Sequence, residues 1–129
     1  MPKIRVLSLV DDDASVRKAT ARLIKSLGFT VEAFPSGEEF LSFGSLRITS
    51  CLVLDVQMPG MNGLQLQSHL AAAGYRIPII FITAYPDEEI RAQALEAGAV
   101  AFLAKPFGQE ALLKGIRSAL NLTEGDTRP

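Results

Sequence analysis

Short runs of aliphatic and β-branched residues recur along this chain, and a stretch with helical spacing follows each of them. The runs are Ile4 to Val10, Phe29 to Phe34, Cys51 to Leu54, Pro78 to Thr83 and Ala99 to Ala104. Cys51-Leu-Val-Leu54 and Ile79-Ile-Phe-Ile82 show no alternation with polar residues. Uninterrupted apolar runs of this length, bounded by turn residues, read as strands buried on both faces, as in the middle of a parallel sheet. Between the strands, apolar residues recur every three or four positions. Val16, Ala19, Leu23 and Leu27 share a helical face, with Arg17, Lys18, Arg22 and Lys25 off it. Asp13 or Ser15 can cap this helix, and Gly28 ends it.

The later helices are marked in the same way. Pro35-Ser-Gly37 turns the second strand into a helix holding Phe40, Leu41 and Phe43. Leu64 to Ala73 places Leu66, Leu70 and Ala73 inward and stops at Gly74. Pro86-Asp-Glu-Glu89 is a helix start, with acids against the positive end of the dipole; Ile90, Ala94 and Ala97 follow before Gly98. Gln109 to Leu120 packs through Leu112, Leu113, Ile116 and Leu120. Five strands alternating with five helices, joined by right-handed crossovers, specify an α/β fold. We expect a doubly wound five-stranded parallel sheet of order 2-1-3-4-5, the flavodoxin-like (βα)5 arrangement.

Composition narrows this picture without changing it. At 129 residues the chain makes one domain, and its 48% hydrophobic and 21% charged residues are those of an ordinary globular protein. A formal net charge of -1 provides no global field to attract nucleic acid or an anionic membrane. Cys51 is the only cysteine, which excludes an internal disulfide and a cysteine-rich zinc site. No apolar run approaches the ~18 residues of a membrane span, and the N-terminus does not read as a signal peptide. A cytoplasmic location is expected. Residues 1–122 form the domain, and Thr123 to Pro129 read as a tail or the start of a linker.

The chemistry collects at the carboxyl ends of the strands, the edge where open α/β sheets bind ligands. The first strand ends on Asp11 and Asp12, the third on Asp55, the fourth on Thr83 and the fifth on Lys105. In the order 2-1-3-4-5 these are adjacent strands. Carboxylates this close repel by roughly 3 kcal/mol per pair at about 5 Å and an effective dielectric near 20, so the cluster takes up protons or holds a cation. Oxygen donors without histidine or cysteine suit a hard divalent ion, magnesium first and manganese as its substitute. Lysine and threonine then complete the complement of a phosphoryl group, with Asp55 as the nucleophile. Singly, each residue has a plainer explanation. Asp13 is a helix cap, Thr83 a strand-end threonine, Lys105 a solvated lysine and Phe102 a core side chain. Capping, however, explains at most one of Asp11 and Asp12, and the joint arrangement carries the reading.

Leu9-Val-Asp-Asp12, Asp55-x-x-Met-Pro-Gly-Met-Asn-Gly63, Ile82-Thr-Ala84, Ala97-Gly-Ala99 and Lys105-Pro-Phe107 together closely resemble the receiver domain of two-component response regulators. The likeness runs from Ile4 to about Leu120. It implies that Asp55 is the phospho-acceptor and that Asp12 and Asp55 ligate Mg²⁺ through their side chains. Asp11 would act through a water, and Gln57 would offer its backbone carbonyl to the metal. Thr83 would bond the phosphoryl oxygen on activation and Lys105 would pair with it. Phe102 falls at the switch aromatic, and the Lys105–Pro106 peptide is expected to be cis. Gln57 and Tyr85 occupy the two variable positions that tune phosphoryl lifetime in the family, where a bulky Tyr85 would shield the acyl phosphate.

The implied function is signalling. A sensor histidine kinase supplies the phosphoryl group, and the face of the fourth helix, fifth strand and fifth helix is remodelled to control a homodimer or an output domain. Such a protein catalyses only its own phosphorylation and dephosphorylation and is not an enzyme acting on other substrates. Asp-Asp-Asp13, Phe34-Pro-Ser-Gly-Glu-Glu-Phe40 and Lys105-Pro-Phe107 further resemble receivers of the nitrogen-fixation regulator type, which precede a DNA-binding domain. Any contact with DNA would then run through an output domain outside this sequence. The rival reading is an Asp-nucleophile phosphatase of the haloacid-dehalogenase type, whose first motif Asp11-x-Asp13 mimics. It is weakened by the missing late acidic pair and cap domain. His69, among Gln65, Gln67 and Ser68, reads as a solvated surface residue rather than a phosphohistidine donor.

Overall fold

The computed structural model describes residues 5–43 and 46–125, with side chains described as far as residue 121. The strands are β1 (Val6–Val10), β2 (Thr30–Phe34), β3 (Thr49–Asp55), β4 (Ile79–Thr83) and β5 (Ala101–Ala104). They form one parallel sheet in the order β2-β1-β3-β4-β5, as the alternation of patterns requires. Between and after them run α1 (Ala14–Ser26), α2 (Gly37–Phe43), α3 (Gly63–Ala72), α4 (Glu88–Glu96) and α5 (Gln109–Gly125). Ile4, expected at the start of the first strand, lies outside the described residues.

Helices cover both faces of the sheet, so two apolar layers form. On one side Leu7, Leu9, Cys51, Val53, Ile80 and Ile82 pack against Ile24 of α1 and Leu112, Ile116 and Leu120 of α5. On the other, Val10, Leu52, Leu54 and Phe81 meet Phe40, Leu66, Leu70 and Ala94. Burial on both faces is why β3 and β4 carry no polar alternation. β2 and β5 are the edge strands and are only partly covered.

Several helical faces differ from the sequence expectation. In α1 the buried residues are Thr20 and Ile24, while Ala19 is exposed. In α3, Ala73 is exposed and Gln67 is buried, its amide donating to the Ala94 carbonyl at 3.2 Å. In α4 only Ala94 is fully enclosed, and Ala97 faces solvent. α5 continues to Gly125, so Thr123 to Gly125, expected in the tail, are helical.

Gly63 sets how closely α3 approaches the end of β3. Its N–H donates to the Val56 carbonyl at 2.9 Å. A Cβ at this position would sit 2.5 Å from the Asp55 carbonyl oxygen and 3.0 Å from both Val56 Cα and the Phe81 ring. Two of those neighbours are backbone and cannot swing aside. Gly63→Ala is therefore expected to lower unfolding stability by about 2–3 kcal/mol, read as a drop in the urea midpoint at unchanged slope. An unchanged midpoint would mean that the helix start yields without cost.

Candidate functional site

Asp11 follows β1 directly and is fully buried, whereas Asp12, next in the chain, is exposed. Hydrogen bonds involving backbone atoms fix Asp11 in place, the first from its own N–H to the Phe34 carbonyl at 3.1 Å. Its Oδ1 accepts the Asp13 N–H at 2.9 Å, and its carbonyl accepts from the Arg17 guanidinium at 2.8 Å. Asp13 caps α1, accepting from Ser15 N and Val16 N. The Asp-Asp-Asp run therefore divides its work: the third residue starts the helix, and the first two are left for the site.

Asp55 ends β3 and is only 4% exposed. The carboxylates of Asp11, Asp12 and Asp55 each bring an oxygen within 4.8 Å of the others. Lys105, just past β5, reaches across the sheet edge to lie 3.0 Å from Asp11 Oδ2 and 3.6 Å from Asp55 Oδ2. One ammonium against three carboxylates leaves the cluster acidic. Burial pushes the Asp55 carboxyl up from 3.8 to about 7; the negative Asp11 adds to the rise, Lys105 opposes it, and a hydrogen bond and charge from Asp12 raise it further. Such an oxygen-rich set, short of positive charge, matches what a hard divalent cation needs.

The loop from β3 to α3 is held from several sides. Gly60 adopts φ 72°, the left-handed region that glycine enters without strain. Met61 N donates to Glu38 Oε2 of α2 at 3.3 Å. Asn62 and Gln65 form a reciprocal capping box at the start of α3. On the neighbouring strand end, Lys105 N donates to the Thr83 carbonyl at 2.7 Å, and the Lys105–Pro106 peptide is cis.

Thr83 is fully buried. Its Oγ1 donates to Gln57 Oε1 at 2.5 Å and accepts the Tyr85 N–H at 3.0 Å, while Gln57 Nε2 reaches the Tyr85 carbonyl at 3.5 Å. Tyr85 thus meets the site through its backbone, and its side chain is 72% exposed rather than folded over Asp55. Phe102 is half-buried, its ring centroid 6.2 Å from that of Phe81. Pro86, Asp87, Glu88, Arg91 and Ala104 line a groove beside it. His69 is exposed on α3, as its polar neighbours suggested.

The fold thus brings Asp11, Asp12, Asp55 and Lys105 into one cluster; the Lys105 N–H joins Thr83 to it, and Gln57 and Tyr85 hold the Thr83 hydroxyl. Three contributors escaped the sequence reading: the guanidinium of Arg17, the carboxylate of Glu38 and the side-chain amide of Gln57. Arg17 was legible only as a basic residue off the apolar face. The other two act across loops distant in sequence, where no spacing rule applies.

The geometry finds its counterpart among known proteins. Residues 7–117 match the family described as the response regulator receiver domain. Response regulator protein TodT of Pseudomonas putida is 44% identical over 117 residues, covering 91% of this chain and 52% of that protein. Transcriptional regulatory protein FixJ of Azorhizobium caulinodans is 36% identical over 120 residues, covering 93% of this chain and 57% of that protein. Among solved structures, response regulator StyR superposes with a TM-score of 0.87 at 43% identity, covering 95% of this chain and 62% of that one. The chain spans about half the length of the curated relatives it matches. Nothing in these likenesses supports the phosphatase alternative. The chain belongs to the receiver-domain family of two-component response regulators.

Proposed function

We propose that Asp55 accepts a phosphoryl group from a phosphohistidine of a sensor kinase, and that this modification controls a transcriptional output. The observation that carries the reading is the cluster itself: a buried strand-end carboxylate with two further acids beside it and Lys105 Nζ 3.6 Å away. Asp12 and Asp55 would hold Mg²⁺, or Mn²⁺ in its place, through their side chains, with Asp11 acting through a water and Gln57 through its backbone carbonyl. The bound ion would neutralise the acids and draw charge from the phosphoryl oxygens. Asp55 attacks phosphorus, a carboxylate oxygen–phosphorus bond forms, and the phosphorus–nitrogen bond to the donor imidazole breaks. Lys105 pairs with the new charge, and Thr83 donates its hydroxyl proton to a phosphoryl oxygen.

Phe102 lines the groove beside α4 and packs near Phe81, a suitable place from which to pass the change to the α4–β5–α5 face. There a second copy of the chain, or an output domain, reads it. Residues 1–122 serve as the receiver, with the linker beginning near the end of α5 in a cytoplasmic protein. DNA contact is assigned to an output domain beyond these residues. Incubation with Mg²⁺ and acetyl phosphate should add one phosphoryl group by mass, removable by alkaline hydroxylamine and absent from Asp55→Asn. No mass gain in the unaltered chain would defeat the proposal. Turnover of a generic phosphate ester would defeat it in favour of an enzyme.

A further inference from the structure

We propose that the Gln57 side chain is a resting-state latch on the switch, occupying the one proton that Thr83 must give to the phosphoryl group. The inference rests on the phospho-acceptor reading above and concerns a different event from phosphoryl hydrolysis. A threonine hydroxyl has one proton and two lone pairs. Here the Tyr85 N–H takes a lone pair at 3.0 Å, and the proton goes to Gln57 Oε1 at 2.5 Å. The orientation of the amide follows from its surroundings. Its NH₂ faces the Tyr85 carbonyl at 3.5 Å, and turning it over would set two carbonyl oxygens against each other.

Thr83 cannot donate to Gln57 and to a phosphoryl oxygen at the same time. Activation therefore exchanges one acceptor for another, and the free energy of the first bond is subtracted from that of the second. The displaced amide has space to move into. A hollow of about 450 Å³ lies alongside it, lined by Gln57, Met58, Pro59, Asn62, Leu64 and Ile90. Gln57 is thus a positioning residue that restrains Thr83, and through its contact with Tyr85 it also ties the β4–α4 loop to the β3–α3 loop.

The test uses beryllofluoride with Mg²⁺, a phosphoryl mimic whose binding is read at equilibrium, so that water attack on an acyl phosphate does not enter. Affinity is followed by amide NMR shifts in the unaltered chain, in Thr83→Ala and in Thr83→Ser, each with and without Gln57→Met. Gln57→Met should bind about five- to tenfold more tightly, the scale of one hydrogen bond released. The same substitution should change affinity by less than about twofold in the Thr83→Ala background, because no hydroxyl remains to release. Thr83→Ser, which keeps the hydroxyl, should restore the gain from Gln57→Met. If Gln57→Met binds no more tightly, or gains equally without the hydroxyl, the latch is wrong. If the unaltered chain binds no beryllofluoride at all, the phospho-acceptor reading itself fails.

Discussion

In metal-free buffer at pH 8, Asp55→Asn is expected to melt roughly 10 °C above the unaltered protein. The gain comes from removing a charge that folding holds in a poor place. Asp55 is 4% exposed and shares its surroundings with Asp11 and Asp12, so its carboxyl holds its proton up to about 7 instead of 3.8. Between those values the folded protein binds more protons than the unfolded chain, and stability falls as the pH rises. Above about 7 both states are ionised and the full penalty is in place; below 3.8 it is gone. At about 1.4 kcal/mol for each tenfold change in proton affinity, the penalty has an upper bound of about 4 kcal/mol.

Asparagine also has a desolvation cost, so about 2–3 kcal/mol of this should be recovered, at about 3–5 °C per kcal/mol for a domain of this size. Melting curves from pH 4 to pH 8 check the sign. The two proteins should converge in acid and separate as the pH rises, and parallel curves would remove the explanation. Adding Mg²⁺ should stabilise the unaltered chain more than Asp55→Asn, because the variant has lost a ligand.

Lys105→Met is expected to act in the opposite direction, lowering stability by about 3 kcal/mol in the absence of metal. Methionine keeps most of the aliphatic stem and removes the ammonium, which lies 3.0 Å from the fully buried Asp11. Removing one partner of a buried pair leaves the other charge without compensation, and that loss exceeds the net worth of the pair. Urea unfolding measures it directly. Combining Lys105→Met with Asp55→Asn should cost less than the sum of the separate effects, since fewer carboxylates then need the missing cation. Strict additivity would show that Asp55 and Lys105 do not sense each other at 3.6 Å.

Residues with a local signal were legible from the sequence, and those acting through a distant partner were not. The strands β3 and β4 stand out because burial on both faces leaves an apolar run at the heart of each, Cys51 to Leu54 in β3 and Ile79 to Ile82 in β4. Where β3 begins was harder to read. Thr49 is polar yet buried, its hydroxyl bonded to that of Ser8 at 2.8 Å. Thr20 enters the α1 core for a related reason: hydrophobicity ranks alanine above threonine and so favours Ala19, but helix rotation is set by Ile24 and Leu23 packed against the sheet. β5 is shorter than the apolar run Ala99 to Ala104, because Ala99 and Val100 bond to Ala94 and Ile79 before regular pairing begins at Ala101.

Aspartate, threonine and lysine at strand ends could be placed because topology alone sets those ends side by side. The amide of Gln57 could not, since its partner lies 26 positions away at the end of β4. Arg17 is hidden for another reason, since its partner is a backbone atom only six positions away. Its guanidinium folds back onto the Asp11 carbonyl, which no helical wheel displays.

The buried amide of Gln67 has a mechanical consequence for α4. The Ala94 carbonyl accepts from Gln67 at 3.2 Å and from the Ala99 N–H at 3.0 Å, so the carboxyl-terminal turn of that helix is pinned twice. At the other end, Asp87, Glu88 and Arg91 face solvent. A rod pegged at one end travels along an arc. Its amino-terminal turn should sweep the greatest distance over β5 while Ala94 stays almost still, as a door moves least beside its frame.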